Sequence, residues 1–246
     1  MFSSEVTMAH ELQQRYDTMW HEAAPALARG DVACDAQLAA GNDPRRGLTL
    51  IARPGPGLAS SFDAMLDTLA AIDPHQYRHP VADMHVTVLS LFTATVDYGP
   101  ELARADQYRA AVAEAVRGTP PFTIDFIGVT ASRGAVVAQG FPRDDTLALL
   151  RERLRGELHA RGLDGSLDGR YKLVTAHSTL LRFVRPLAEP ARFTQALESL
   201  RTGALGSMHV AALELVQNDW YMSSATLQRL GSYPLGLSAS SLWSTQ

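Results

Sequence analysis

The sequence predicts an α+β protein made of two similar lobes, and three observations support this class. Segments with helical and with β-strand patterns alternate along the chain. A unit of one helix, a strand that carries a histidine, a second helix and two further strands occurs twice in the same order. Each unit also carries its histidine at an equivalent point. We therefore expect two α+β lobes, one motif strand in each.

The N-terminal segment comes first and lies outside this repeat. Between Glu5 and Arg29, the apolar residues Leu12, Tyr16 and Trp20 recur at four-residue steps. This spacing predicts one helix with an apolar face that packs on the main body. The polar stretch GDVACDAQLAAGNDPRRG follows as a connector. We assign residues 1–46 to the helix and connector, and residues 47–246 to the main domain.

The repeated units account for the rest of the chain. The short strand GLTLIARP, which ends at a Pro-Gly cluster, opens the main domain. The first unit then has a helix over 58–72, the strand MHVTVLSLF, a helix over 100–117 and the strands FTIDFIGV and AVVAQGF. The second has a helix over 144–161, the strand TAHSTLLRFV, a helix over 188–200 and the strands HVAALELV and ATLQRLGSYPL.

Composition limits the possible classes of function. With 46% apolar residues, 20% charged residues and no uninterrupted apolar run of about 18, the chain has no candidate membrane helix. The net charge of −4 argues against binding of long nucleic acid through a general positive field. The single cysteine, Cys34, and the absence of a signal-like N-terminal pattern suggest a reducing, cytoplasmic setting. We expect a monomer without a cofactor.

The residues that indicate chemistry are two His-x-Thr motifs, His85 with Thr87 and His177 with Thr179. Both lie on predicted strands and are followed by similar apolar residues, in HVTVLSL and HSTLLRF. Side chains alternate faces along a strand, so each histidine and its threonine point to one side. Imidazole exchanges protons near neutral pH, and a threonine hydroxyl can donate to a phosphate oxygen. The pattern predicts a phosphoesterase with the two motif strands facing each other across one cleft.

Residues near the motifs are interpreted by the same alternation. Arg182 lies at odd spacing from His177, so we expect it to point away from the cleft unless a bulge intervenes. Tyr221 lies in the turn DWYMSS between the last two strands, where it could contact a substrate base. His75 and His79 fall in a Pro-containing loop, for which we expect ordinary turn chemistry.

The motifs HVTV and HSTL, about ninety residues apart in a duplicated α+β chain, resemble those of the two-histidine (2H) phosphoesterase superfamily. LigT-like RNA ligases and cyclic phosphodiesterases belong to it, and the resemblance covers residues 48–235. It implies a bilobed fold with antiparallel sheets flanked by helices around a central cleft, and catalysis without a metal. It also implies that His85 and His177 act as general base and general acid, while Thr87 and Thr179 hold the phosphate.

The expected reaction is the opening of a 2',3'-cyclic phosphate on a nucleotide or an RNA end. The same site run in reverse would join RNA ends through a 2',5' bond, so ligation is an alternative. A zinc site is a second rival, although HExxH and a third ligand at diagnostic spacing are absent. A non-catalytic protein that binds nucleotides or RNA ends is a third. We expect no metal at the site.

Overall fold

The computed structural model describes residues 2–41, 43–169 and 172–236 of the chain; the last ten residues of the predicted main domain lie outside this range. The helices are α1 (Phe2–Ala28), α2 (Ala36–Ala40), α3 (Pro56–Ala70), α4 (Gly99–Leu102), α5 (Ala105–Val116), α6 (Thr146–Ala160) and α7 (Pro190–Ser199). The strands are β1 (Arg46–Ala52), β2 (Tyr77–Arg78), β3 (Val86–Thr95), β4 (Phe122–Ala131), β5 (Ala135–Pro142), β6 (Ser178–Arg182), β7 (Ala204–Val210), β8 (Ala212–Asn218) and β9 (Gln228–Pro234). A short 3₁₀ turn covers Val81–Asp83.

The strands form two antiparallel sheets, which confirms the predicted fold class. The first sheet has four strands in the order β3-β1-β8-β9, and the second has five in the order β2-β6-β5-β4-β7. Every neighbouring pair in both sheets is antiparallel. Each sheet contains one of the two motif strands, β3 in the first and β6 in the second.

The two sheets are not made from successive halves of the chain, a feature that the sequence repeat did not show. Strands β4 and β5 follow the first motif strand but pair in the sheet of β6. Strands β8 and β9 follow the second motif strand but belong to the sheet of β1 and β3. In the first sheet β3 pairs with β1, and helix α3 lies between these strands in the sequence. In the second sheet β6 pairs with β5, and helix α6 lies between them.

Helix α1 belongs to the same core as the sheets. Its apolar face buries Leu12, Tyr16, Trp20 and Leu27, as the four-residue spacing predicted. The hydroxyl of Tyr16 donates to the carbonyl of Gly140 at 3.1 Å, which attaches the helix to β5. A single cluster of buried apolar side chains extends from α1 through both sheets, so this segment is part of the folded unit.

Several boundaries differ from those predicted. The helix expected over 100–117 is two helices, α4 and α5, because Ala103 and Arg104 end the first turn before the second helix begins. The expected strand HVAALELV divides at Ala211 into β7, which pairs with β4, and β8, which pairs with β1. Strand β2 was not predicted, since two residues carry no periodic signal. Within the described residues, the helices lack the length and apolar character needed to cross a membrane.

Candidate active site

The structure brings the four motif residues to the wall of one cavity of about 240 Å³. His85 immediately precedes β3, and Thr87 is its second residue; His177 immediately precedes β6, and Thr179 is again the second residue. All four side chains are half-buried. The two motifs, which come from different sheets, therefore face a shared space.

Burial across the two motifs follows the expected alternation. Val86 and Val88 are buried in the core on the opposite side from His85 and Thr87. In the second motif, Ala176 and Ser178 are buried in the same way. The apolar neighbours thus hold each strand by one face and leave the imidazole and hydroxyl on the cavity side. Neither Thr87 nor Thr179 donates its hydroxyl to another described residue.

His85 is oriented by its own chain. Its Nδ1–H donates to the carbonyl of Asp83 at 2.7 Å, and a carbonyl can only accept, so Nδ1 carries the proton. The carboxylate of the same Asp83 accepts the backbone N–H of Ser224 at 2.8 Å, which ties this segment to the loop after β8. Burial lowers the pKa of His85 to about 4, partly opposed by the hydrogen bond to Asp83.

His177 has a different set of neighbours. Its Nδ1 lies 2.8 Å from the hydroxyl of Thr175, two residues earlier. Burial lowers the pKa of His177 to about 4, and the positive charge of Arg151, the ring of His85 and Arg182 lower it further. At neutral pH both motif histidines of the unliganded protein are therefore uncharged.

Arg151, a buried residue of α6, connects the two motif segments through their main chains. Its guanidinium donates to the carbonyls of Thr87 and Val88 in β3 and to those of Val174 and Thr175 before β6, at 2.8–3.0 Å. Burial lowers its pKa from the usual 12.5 to about 10, which leaves it charged at neutral pH. One side chain thus fixes the separation of the two motif strands. This role of Arg151 was not predicted from the sequence.

The prediction for Arg182 was wrong, and a β-bulge is the reason. Opposite β5, Val137 pairs with Thr179 and Val136 with Leu181, so Leu180 is an extra residue in β6. Leu180 and Leu181 are both buried, and the alternation resumes with Arg182 on the cavity side. Arg182 therefore lines the cavity together with both motif histidines, and its charge contributes to lowering their pKa values.

His79 is a further cavity residue that the sequence did not reveal. Strand β2 pairs with β6, and the backbone N–H of His79 donates to the carbonyl of Leu180 at 2.9 Å, which brings its ring to the cavity. The side chain is 2% exposed, and neither ring nitrogen has a hydrogen-bond partner among the described residues. Burial, the nearby Arg182 and His85 lower its pKa to about 3.

Aromatic residues of the loop between β8 and β9 complete the wall. Tyr221 lines the cavity, as the predicted substrate contact requires, but its hydroxyl already donates to Asp35 of the connector at 2.7 Å. Burial, together with this hydrogen bond, raises the pKa of Tyr221. Its neighbour Trp220 also lines the cavity, and so does Asn218 at the end of β8. Tyr221 is therefore one part of a larger wall.

Other chemically active residues are not grouped with the motifs. His10, His21 and His159 make local contacts, with Gln14, Asp17 and Asp164 respectively. Cys34 is exposed. In the described part of the chain, no group of three or more His, Cys, Asp or Glu side chains is arranged to hold a metal ion.

Comparisons with known proteins identify a family and relatives of the same fold. A model of the 2'-5' RNA ligase superfamily matches residues 59–220. TT0787 of Thermus thermophilus has a similar fold, with 17% identity and a TM-score of 0.54 over 77% of this chain and 97% of that chain. E. coli LigT in apo form is similar over 79% of this chain and 99% of its own, with 15% identity and a TM-score of 0.53. LigT complexed with phosphate covers the same shares, with 14% identity and a TM-score of 0.51. A search of curated protein sequences gave no match.

Proposed function

Because the chain belongs to the 2'-5' RNA ligase superfamily, whose members are two-histidine phosphoesterases and ligases, we propose that it opens 2',3'-cyclic phosphates at the cavity between β3 and β6. The substrate is a cyclic nucleotide or an RNA end. His85 and His177 act as the proton-transfer pair, and no metal takes part. One observation carries the proposal: two imidazoles and two threonine hydroxyls, from equivalent positions of two sheets, line one cavity.

The reaction needs one proton removed and one delivered. A water molecule gives its proton to one histidine as its oxygen bonds to phosphorus, while the bond from phosphorus to one ribose oxygen breaks. The other histidine donates a proton to that ribose oxygen, so the product is a phosphomonoester with a free hydroxyl. Two imidazoles on facing strands suit this exchange because the entering and leaving oxygens lie on opposite sides of the phosphorus.

The neighbours of each histidine favour a division of roles. Burial lowers the pKa of both rings to about 4, and nearby arginines lower both further, Arg151 and Arg182 for His177 and Arg53 and Arg182 for His85. The contacts differ in one respect: His177 has no backbone carbonyl among the groups that raise its pKa, which suits a general base. His85 has the Asp83 carbonyl as a hydrogen-bond acceptor, which favours its protonated form and suits a general acid. A bound phosphodiester anion raises the pKa of both rings, so His85 can take up its proton when the substrate enters.

The phosphate oxygens have donors on the same wall. The guanidinium of Arg182 presents several N–H groups, and the hydroxyls of Thr87 and Thr179 add one donor each. Such donors stabilise the charge that develops on the equatorial oxygens, an effect worth about 3 to 4 kcal/mol for one oxyanion donor in a studied hydrolase. The fold relative LigT has been solved in complex with phosphate, which supports a phosphate-containing ligand for this fold.

Ligation of RNA ends through a 2',5' bond is the second candidate, because the family is named for that activity. Hydrolysis is the first candidate because it needs only a water molecule beside the substrate, whereas ligation needs a second RNA end held in the same cavity.

The test is turnover of 2',3'-cyclic nucleotides by purified protein in the presence of EDTA, followed by chromatography of the phosphomonoester product. His85→Ala and His177→Ala are each expected to lower kcat by about 10² to 10⁴. His159→Ala is the matched control, because this histidine is exposed, lies outside the cavity and bonds to Asp164. Complete loss of wild-type activity on chelation would contradict the mechanism.

The same preparation separates the alternatives. Incubation with one RNA bearing a 2',3'-cyclic phosphate and another bearing a 5'-hydroxyl would give a 2',5'-linked product if the chain is a ligase. Tight binding of cyclic nucleotides without any product would indicate a binding protein instead.

A further inference from the structure

We propose that three residues of the connector between α1 and β1, Asp35, Asp43 and Arg45, fix the aromatic wall of the substrate site against which a nucleobase packs. The inference rests on the proposed function and adds to it the element that recognises the nucleoside. The family model begins at residue 59, so the connector lies outside the part of the chain that the family describes.

Asp35 joins the two sides of the cavity. Its backbone N–H donates to the carbonyl of Phe183, directly after β6, at 2.8 Å. Its carboxylate accepts the hydroxyl of Tyr221, from the loop after β8, at 2.7 Å. The same carboxylate caps α2 by accepting two backbone N–H groups, so its position is fixed. The ring of Tyr221 is therefore buried in the protein, and its hydroxyl is held by Asp35 of the connector.

Arg45 fixes the second aromatic residue. Its guanidinium carbon lies 4.2 Å from the ring centroid of Trp220, within the range of a cation–π contact. The carboxylate of Asp43 binds the same guanidinium through both oxygens, so the side chain is held in place over the indole. The connector thus contacts both aromatic residues of the cavity wall.

The position of these rings indicates what they recognise. The guanidinium carbon of Arg182, a proposed phosphate ligand, lies 5.6 Å from the ring of Tyr221. Tyr221 and Trp220 are therefore within reach of the organic part of a substrate whose phosphate lies against Arg182. A planar nucleobase is the group that gains most from packing on aromatic side chains. The ligand class is accordingly a nucleoside 2',3'-cyclic phosphate, free or at an RNA end.

The test compares two substrates with the same five-membered cyclic phosphate. One is 2',3'-cyclic AMP, and the other is glycerol 1,2-cyclic phosphate, which has no base. Tyr221→Phe removes only the hydroxyl that Asp35 holds, and Arg45→Met removes the cation but keeps most of the side-chain length. We expect each variant to lower the ratio of kcat/KM for the nucleotide over that for the glycerol compound by about five- to tenfold, mainly through a higher KM.

Asp31→Asn is the matched control on the same connector. Asp31 pairs with Arg133 on the hairpin between β4 and β5 and does not line the cavity, so its substitution is expected to leave the ratio unchanged. Thermal unfolding of all variants checks that they remain folded. Equal losses on both substrates in Tyr221→Phe and Arg45→Met would overturn the inference and leave the connector with a structural role only.

A failure of the proposed function would give a different result from a failure of the inference about the connector. If the wild-type protein opened neither compound, the hydrolase proposal would be wrong whatever the variants do. Calorimetric titration with 2',3'-cyclic AMP would then decide the role of the connector. Weaker binding in both variants than in Asp31→Asn supports it, and wild-type affinity in both refutes it.

Discussion

Replacement of Arg151 by methionine tests the structural link between the two motif strands. The substitution keeps a long apolar stem but removes the donors that reach Thr87 and Val88 on one side and Val174 and Thr175 on the other. The four carbonyls then lose their charged partner inside the protein. At about 1 kcal/mol for each hydrogen bond, the free energy of unfolding should fall by roughly 4 kcal/mol. Arg151→Lys should lie between, because an ammonium group has fewer donors.

The measurement is urea unfolding followed by circular dichroism, together with steady-state kinetics under folding conditions. Arg153→Met is the control, because Arg153 is on the same helix but is exposed and bonds to Arg117 and Thr119. It should cost less than about 1 kcal/mol. In Arg151→Met, kcat should fall more than KM rises, since the motif strands are no longer held at a fixed separation. A variant within about 1 kcal/mol of wild type, with normal kcat, would refute the proposed link.

Three further outcomes are expected. Arg182→Met should raise the KM for cyclic nucleotides and the inhibition constant of inorganic phosphate at least about tenfold, because the side chain that binds the phosphate is lost. An unchanged inhibition constant would show that Arg182 does not bind phosphate. Gly140→Ala should lower both stability and kcat, since a Cβ there would lie 1.9 Å from the carbonyl oxygen of Ala176, next to His177; a crystal structure or thermal melt identical to wild type would contradict this. Burial lowers the pKa of His79 to about 3, so the unfolded chain binds a proton below about pH 6.5 that the folded chain excludes. Stability should therefore fall from about pH 6.5 towards pH 3, and less steeply in His79→Leu when urea midpoints are compared across pH.

Local sequence patterns were enough to predict helix α1 and the two strands that carry the motifs. The four-residue spacing of Leu12, Tyr16 and Trp20 predicted α1, and the period of two at the motifs predicted that Val86 and Ser178 would be buried, opposite the histidines and threonines. Such patterns depend only on neighbours within a few residues. They therefore identify helices, strands and their buried faces before any long-range contact is known.

Features that depend on distant partners were not predictable in this way. The bulge at Leu180 that turns Arg182 to the cavity exists because of the register with β5, and His79 reaches the site through the pairing of β2 with β6. Arg151 gave no signal either, since an arginine in an amphipathic helix is usually exposed. Each of these positions is set by tertiary pairing, which the order of residues along one strand does not encode.

The exchange of strands between the two halves of the chain also determines when the sheets can form during synthesis. The sheet of His85 needs β8 and β9, so its inner strand β1 waits for its second partner, β8, which is translated long after it. The second sheet needs only β7 beyond its motif strand and can be complete earlier. Such non-local pairing slows folding, and the unpaired edge of β1 is exposed to aggregation in the meantime. A nascent chain that stalls before β8 would therefore depend on chaperones, although every residue of both motifs has already been made.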